Sequence, residues 1–337
     1  MNKIFLFALA LLFAACGAAD KDEVTIYTHR HYDVDQKIFD DFEKETGIHV
    51  NVVKAGADEL IERLVTEGDQ TSADLLMTVD AGRLVRASDA GLLQPIASEI
   101  VTSTIPDKLR SADNSWVGLT KRARIIVYHP DRVDPANLSS YEGLADSTWD
   151  DRLLIRSSGN IYNQSLMASV IANLGEDAAR QWATAVVENF ARNPSGNDRD
   201  QVKAILAGEG DLAVINTYYL GLLLNSDDPQ EAQAGEAVKI FWPNQGNRGA
   251  HINVSGVGLT ANAPNAENAI KLVEYMISKE VQELYASANF EYPANPNAEV
   301  SEQLKSWGDF KEDELPLARL GELNDEAVTI FDEVGWP

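Results

Sequence analysis

From Glu23 onward the chain switches between two hydrophobic periods, and this switching constrains the fold more than any other feature. Val24 to Thr28 is an apolar run of strand length. Val34, Ile38 and Phe42, with Phe39 beside them, then fall on one helical face that Gly47 ends. "IHVNVV" is a second strand; Leu60, Ile61, Leu64 and Val65 make a second helical face, stopped at Gly68. "ADLLMTV" is a third strand, and Asp80 after it stands where it can cap the next helix. Consecutive units of this kind imply an α/β fold, with a mostly parallel sheet covered by helices.

The middle of the chain repeats the logic. "RARIIVYHP" is a strand closed by Pro130, and "DRLLIRSS" is another. "NQSLMASVIANLG" and "EDAARQWATAVVENFA" have apolar helical faces, while "LAVIN" and "EAVKIFW" read as strands. "SGVG" (Ser255 to Gly258) lies in a strand-like run and marks close backbone packing. "AENAIKLVEYMIS" and "KEVQELYASAN" are amphipathic helices, and the tail from Val300 holds short polar and helical pieces. A length of 337 residues favours two domains. No Pro/Gly/Ser-rich linker divides them, so the chain should cross between two lobes on strands, leaving a cleft.

The N-terminus carries its own signal. In "MNKIFLFALALLFAACGAAD", Lys3 precedes a ten-residue apolar run, Ile4 to Phe13, and no acid appears before Asp20. Residues 1–19 therefore read as an export signal, too short to span a bilayer. Cys16, the only cysteine, follows Ala14-Ala15 as in a bacterial lipobox, which would end the signal before it and lipidate it. Phe13 departs from the usual Leu, and ordinary cleavage near Ala19 is the alternative. Either route leaves no disulfide framework. The formal charge of −25 argues against nucleic acid as a partner, because phosphates would be repelled over most of the surface.

Enzyme signals are thin. There is no G-x-S-x-G, no Walker loop and no G-x-G-x-x-G after a strand, and no nucleophile–base pair emerges. "HRH" (His29 to His31) lacks an H-x-x-x-H partner and a cysteine to complete a zinc site. The tyrosines behave differently. Tyr32, Tyr162, Tyr218 and Tyr219 all fall where a strand hands over to a helix. In open α/β sheets, ligands bind beyond the carboxyl ends of strands, and helix N-termini there favour anions. Several tyrosinates at neutral pH need a strong cation, and phenolate suits a hard ferric ion. Four tyrosinates around a 3+ ion leave one negative charge, which Arg122 or Arg124 in "TKRARIIVY" could balance. On the residues alone, a metal site, a tyrosine-lined organic-ligand cleft and plain amphipathic packing all stay open.

The segments "YTHRHYDVDQKIFDDFEKETGI", "ADLLMTVDAGRLVRA", "TKRARIIVY", "RSSGNIYNQSL", "INTYYLGLLL" and "HINVSGVGL" resemble those of FutA-type periplasmic ferric-iron-binding proteins. The resemblance runs from about Val24 to Trp336. It implies a non-enzymatic, two-lobed periplasmic-binding-protein fold of type II, with an interlobe cleft and a strand hinge. The implied lobes are 23–118 plus 255–305 and 119–254 plus 306–337. It implies Fe(III) held by Tyr32, Tyr162, Tyr218 and Tyr219, with Arg122 approaching the metal and His31 behind the ligands or of varying role. The implied partner is an ABC-transporter permease with its ATPase, served by a monomer in the periplasm, free or anchored through Cys16. Two departures stand out: His29 replaces a small polar residue, and Ile161 replaces an acidic one.

Overall fold

The computed structural model describes residues 22–337; the export signal and Cys16 lie outside the described residues. The expected alternation opens the fold: β1 (Glu23–Thr28), α1 (Asp33–Thr46), β2 (His49–Lys54), α2 (Ala57–Glu67), β3 (Leu75–Thr78) and α3 (Ala81–Asp89). Gly47 ends α1 at φ 76°, a left-handed conformation that glycine adopts without penalty, and its N–H reaches Glu43 O. β1 pairs in parallel with both β2 and β3, as strand–helix units require.

There follow β4 (Leu93–Gln94), α4 (Glu99–Thr104), the long β5 (Trp116–Tyr128), β6 (Leu153–Leu154), α5 (Ile161–Leu174), α6 (Glu176–Glu188), α7 (Asp198–Ala207) and β7 (Leu212–Asn216). Next come α8 (Thr217–Leu224), α9 (Pro229–Glu236), β8 (Lys239–Phe241), β9 (Ile252–Thr260), α10 (Ala266–Met276), α11 (Lys279–Ala288) and β10 (Tyr292–Pro293). α12 (Glu302–Ser306), α13 (Ala318–Glu322) and α14 (Asn324–Val334) close the chain.

The strand order is β2-β1-β3-β9-β5-β7-β6. The mostly parallel sheet expected from the strand–helix alternation is not what forms: β9 returns antiparallel between β3 and β5, and β5 pairs antiparallel with β7 and β8, so parallel pairing is confined to β2-β1-β3 and β7-β6. β5 changes partner along its length. Trp116 to Ala123 pairs with β9, and Arg124 to Tyr128 pairs with β7. One continuous strand thus ties two halves of the molecule together. Every residue of β9 is buried, and so is every residue of β5 except Lys121. Strands covered on both faces usually read as near-continuous apolar runs, and the buried Thr120, Arg122 and Arg124 of β5 and Asn253 and Ser255 of β9 depart from that pattern.

Close packing at "SGVG" is visible at Gly256. A Cβ there would lie 2.7 Å from Val117 O and 2.8 Å from Leu84 Cδ1. Because the first obstacle is backbone, Gly256→Ala should lower stability by about 1–3 kcal/mol, read by chemical denaturation. A loss below about 0.5 kcal/mol would mean that the two strands part without strain.

Two local expectations need correction. "DRLLIRSS" contributes only the two residues of β6. Beyond them the Asn163 amide donates to the carbonyls of Arg156 and Ser157, so a side chain takes the place of a strand ladder. Asp80 does occupy the N-cap position of α3, but its carboxylate makes no cap bond. Asn253 Oδ1, from β9, accepts the Ala81 N–H instead at 3.0 Å. Asp80 Oδ2 is taken by Ser165 Oγ at 2.7 Å and Asn253 Nδ2 at 2.6 Å. The cap is tertiary rather than local.

Candidate metal centre

Three helix starts supply the tyrosines. Tyr32 is the N-cap residue of α1, Tyr162 the second residue of α5, and Tyr218 and Tyr219 the second and third of α8. Buried Leu220 and Leu223 hold α8 against the core while the two phenols before them stay at its leading end. The hydroxyls of Tyr162 and Tyr218 share a hydrogen bond of 3.2 Å. The Tyr218 ring lies 4.2 Å from that of Tyr219, centroid to centroid, and meets Tyr32 edge-on at 6.1 Å. Tyr218, 1% exposed, therefore touches each of the other three.

Burial pushes the Tyr32 and Tyr218 phenols well above their ordinary pKa, and the neighbouring phenols, Tyr162 first, push the same way. Tyr219 is raised for the same two reasons. Without a cation these three phenols are neutral at pH 7. With one, the partial positive ends of α1, α5 and α8 favour the phenolate forms.

The cationic side chains divide. Arg122 is buried with its guanidinium carbon 5.4 Å from the Tyr162 ring centre. Its Nη2 donates to Val79 O, and its Nη1 has no hydrogen-bond partner among the described residues. Arg156 lies 5.7 Å from the same ring. Arg124, the other arginine of "TKRARIIVY", turns instead to Asp198 at 2.7 Å and Asn163 at 2.8 Å. It braces α5 and α7 and is not part of the cluster.

The exposed His31 ring stacks on Tyr32 at 5.0 Å, with Nδ1 3.5 Å from His29 O. His29 faces a different space, a cavity of about 250 Å³ that it lines with Asp58, Asp80, Arg83 and Ile161. Both departures noted in the sequence thus meet at that cavity. Burial lowers the pKa of His29, and its Nδ1 is buried without a hydrogen-bond partner among the described residues.

Arg30 and Arg156 escaped the sequence reading. Arg30 sits in "HRHY", a polar turn where an arginine reads as surface charge, yet its side chain is fully buried. Its guanidinium carbon is 4.8 Å from the Tyr32 ring and 5.2 Å from that of Tyr285. Burial opposes ionisation of its partner Glu291. The charge of Arg30 and hydrogen bonds from Arg30, Asn289 and Thr120 outweigh that, holding the carboxyl below the usual range.

Among the described residues, no group of three or more His, Cys, Asp or Glu side chains could hold a metal. The tyrosines are the donor set on offer.

Residues 28–283 match the sequence profile of bacterial extracellular solute-binding proteins. Iron uptake protein A1 of Synechocystis sp. is 46% identical over 335 residues, covering 96% of this chain and 93% of that protein. Among solved structures, Trichodesmium FutA in complex with iron and citrate ligands gives a TM-score of 0.90 at 46% identity, covering 94% of this chain and 100% of that one. The ferric binding protein from Campylobacter jejuni gives 0.90 at 43% identity, covering 93% and 100%. Fold and likeness together define a type II periplasmic-binding-protein architecture, that of a non-catalytic solute receptor serving an ABC transporter. The chain belongs to the bacterial extracellular solute-binding protein family, in its FutA-type branch.

Proposed function

We propose that this protein captures ferric iron in the periplasm through Tyr32, Tyr162, Tyr218 and Tyr219 and delivers it to the permease and ATPase of an ABC transporter. The observation that carries the reading is the convergence of these four phenols, within hydrogen-bond or ring contact, at three helix N-termini. Phenolate oxygen is a hard ligand suited to a hard trivalent cation, which displaces the phenolic protons as it binds. Four phenolates and Fe(III) leave one net negative charge; Arg122 beside Tyr162, its Nη1 without a hydrogen-bond partner among the described residues, is placed to balance it, whereas Arg156 also faces Asp198 at 3.5 Å.

The lobes we propose are 23–118 plus 255–305 and 119–254 plus 306–337. Supporting that division are the register shift in the β5–β9 pairing between Gly118 and Thr120, and the partner change of β5 a few residues on. Tyr32 then belongs to the first lobe and the other three tyrosines to the second. Iron binds the three-phenol half-site, and hinge closure brings in Tyr32; the permease reads the closed form. We take the working unit to be a monomer, tethered to the membrane if Cys16 is lipidated.

Titrating the purified protein with ferric citrate tests the reading by absorption. Tyrosinate-to-iron charge transfer should give a visible band that saturates at one iron per chain. A protein that saturates with iron yet stays colourless would reject the tyrosine site.

A further inference from the structure

Arg30 is a buried cation that the metal chemistry does not consume. Its Nε donates to both carboxylate oxygens of Asp35 at 3.1 Å, and its Nη2 to Glu291 at 3.0 Å. Its Nη1 is 3.5 Å from Thr120 Oγ1 on β5. One guanidinium against two carboxylates adds no net positive charge beside the phenols. What the cluster supplies is direction. A planar guanidinium held by carboxylates on two edges cannot rotate, and its face packs against the Tyr32 ring on one side and that of Tyr285 on another.

Glu291 extends the restraint to the shared strands. Thr120 Oγ1 on β5 donates to it at 2.8 Å, Ser255 Oγ on β9 at 3.3 Å, and Asn289 Nδ2 at 2.8 Å. Its neighbour Phe290, at φ 53°, packs against Gly221 of α8, where a Cβ would lie 2.5 Å from the Phe290 ring. The segment Asn289 to Glu291 therefore touches both the Tyr32 turn and the helix that carries Tyr218 and Tyr219.

Resting on the reading of Tyr32 as an iron ligand, we propose that Arg30 is its positioning residue. Clamped by Asp35 and Glu291, Arg30 aims the one first-lobe phenol at the three of the second lobe. Glu291 sets that aim relative to β5 and β9, the strands about which the lobes would move. The link from this ion pair to the phenol is the Arg30 face, 4.8 Å from the Tyr32 ring centre, so a change that keeps the charge and removes the planar face should be felt at the ring.

The test is a double-mutant cycle in the full exported chain, with ferric affinity measured by citrate competition and visible absorbance per bound iron recorded alongside. Arg30→Lys keeps the charge for both carboxylates but loses the planar face. It should weaken iron binding by about tenfold and dim the band per iron, over and above the loss of apo melting temperature from the buried hydrogen bonds that lysine cannot make. Adding Arg30→Lys to Tyr32→Phe should weaken binding no further, because the phenol that Arg30 aims is already gone. Should Arg30→Lys fold poorly, Glu291→Gln replaces it in the same cycle with the same expectation. Losses that multiply, or an Arg30→Lys protein with unaltered affinity and spectrum, would overturn the positioning role while leaving the site intact. An unchanged Tyr32→Phe protein would instead overturn Tyr32 as a ligand, and this proposal with it.

Discussion

Tyr218→Phe should leave a folded protein that binds ferric iron at least about a hundredfold more weakly, the equivalent of about 3 kcal/mol or more. Tyr218 is the hub of the cluster, in hydrogen-bond or ring contact with Tyr162, Tyr32 and Tyr219. Phenylalanine keeps the ring that packs at 4.2 Å on Tyr219 and removes only the oxygen. The apo protein then loses one hydrogen bond, that to Tyr162, worth about 1 kcal/mol net. The iron complex loses an anionic ligand, so affinity and apo stability should move by very different amounts. Tyr292→Phe is the matched control. Its hydroxyl is buried and makes no hydrogen bond among the described residues, and it stands apart from the cluster, packed edge-on against Phe310. Equal, small effects of the two substitutions on iron affinity would sink the tyrosine site.

Acidification should weaken iron binding by at least about a thousandfold per pH unit, counting only Tyr32, Tyr218 and Tyr219 of the four phenols that give up a proton to the metal. Burial, reinforced by neighbouring phenols, raises Tyr32, Tyr218 and Tyr219 above the ordinary value of 10.0. The apo protein therefore carries these protons throughout the neutral range and the complex does not. Protons compete with iron, so affinity climbs with pH, and no plateau is expected below about pH 10. Competition against a chelator of known protonation, between about pH 6 and pH 8, measures the slope directly. A slope near zero after correcting for the chelator would mean that the phenols stay protonated and are not ligands. The same shifts act on folding. A group whose folded pKa is raised stabilises the protein below its unfolded pKa and loses that contribution above it. The apo protein should weaken above about pH 10, where unfolded tyrosines ionise and buried ones cannot.

Much of this was readable in the chain because it rests on local physics. The Val34, Ile38 and Phe42 stripe makes α1 wherever the helix packs, and Gly47 stops it by its own conformational freedom. The four tyrosines could be placed at strand-to-helix junctions because strand and helix periods change there in the sequence itself. Asp80 shows where that reasoning ends. Its position before α3 was legible, but its partners Ser165 and Asn253 lie 85 and 173 residues away. A carboxylate before a helix looks like a cap unless distant donors claim it.

Arg30 fails for the same reason in sharper form. In "HRHY" it is one more charge in a polar turn; Asp35 supplies one carboxylate from five residues on, but the second, Glu291, lies 261 residues away. The residues by themselves determined the α/β alternation, the export signal as a reading, and which four phenols stand at helix starts. Tertiary structure alone decided that β9 threads between β3 and β5, that β5 serves both halves, and that the phenols meet. Periodicity is a property of neighbours a few residues apart. Strand pairing and buried ion pairs depend on which distant groups remain unsatisfied when the chain compacts, and no short stretch encodes that.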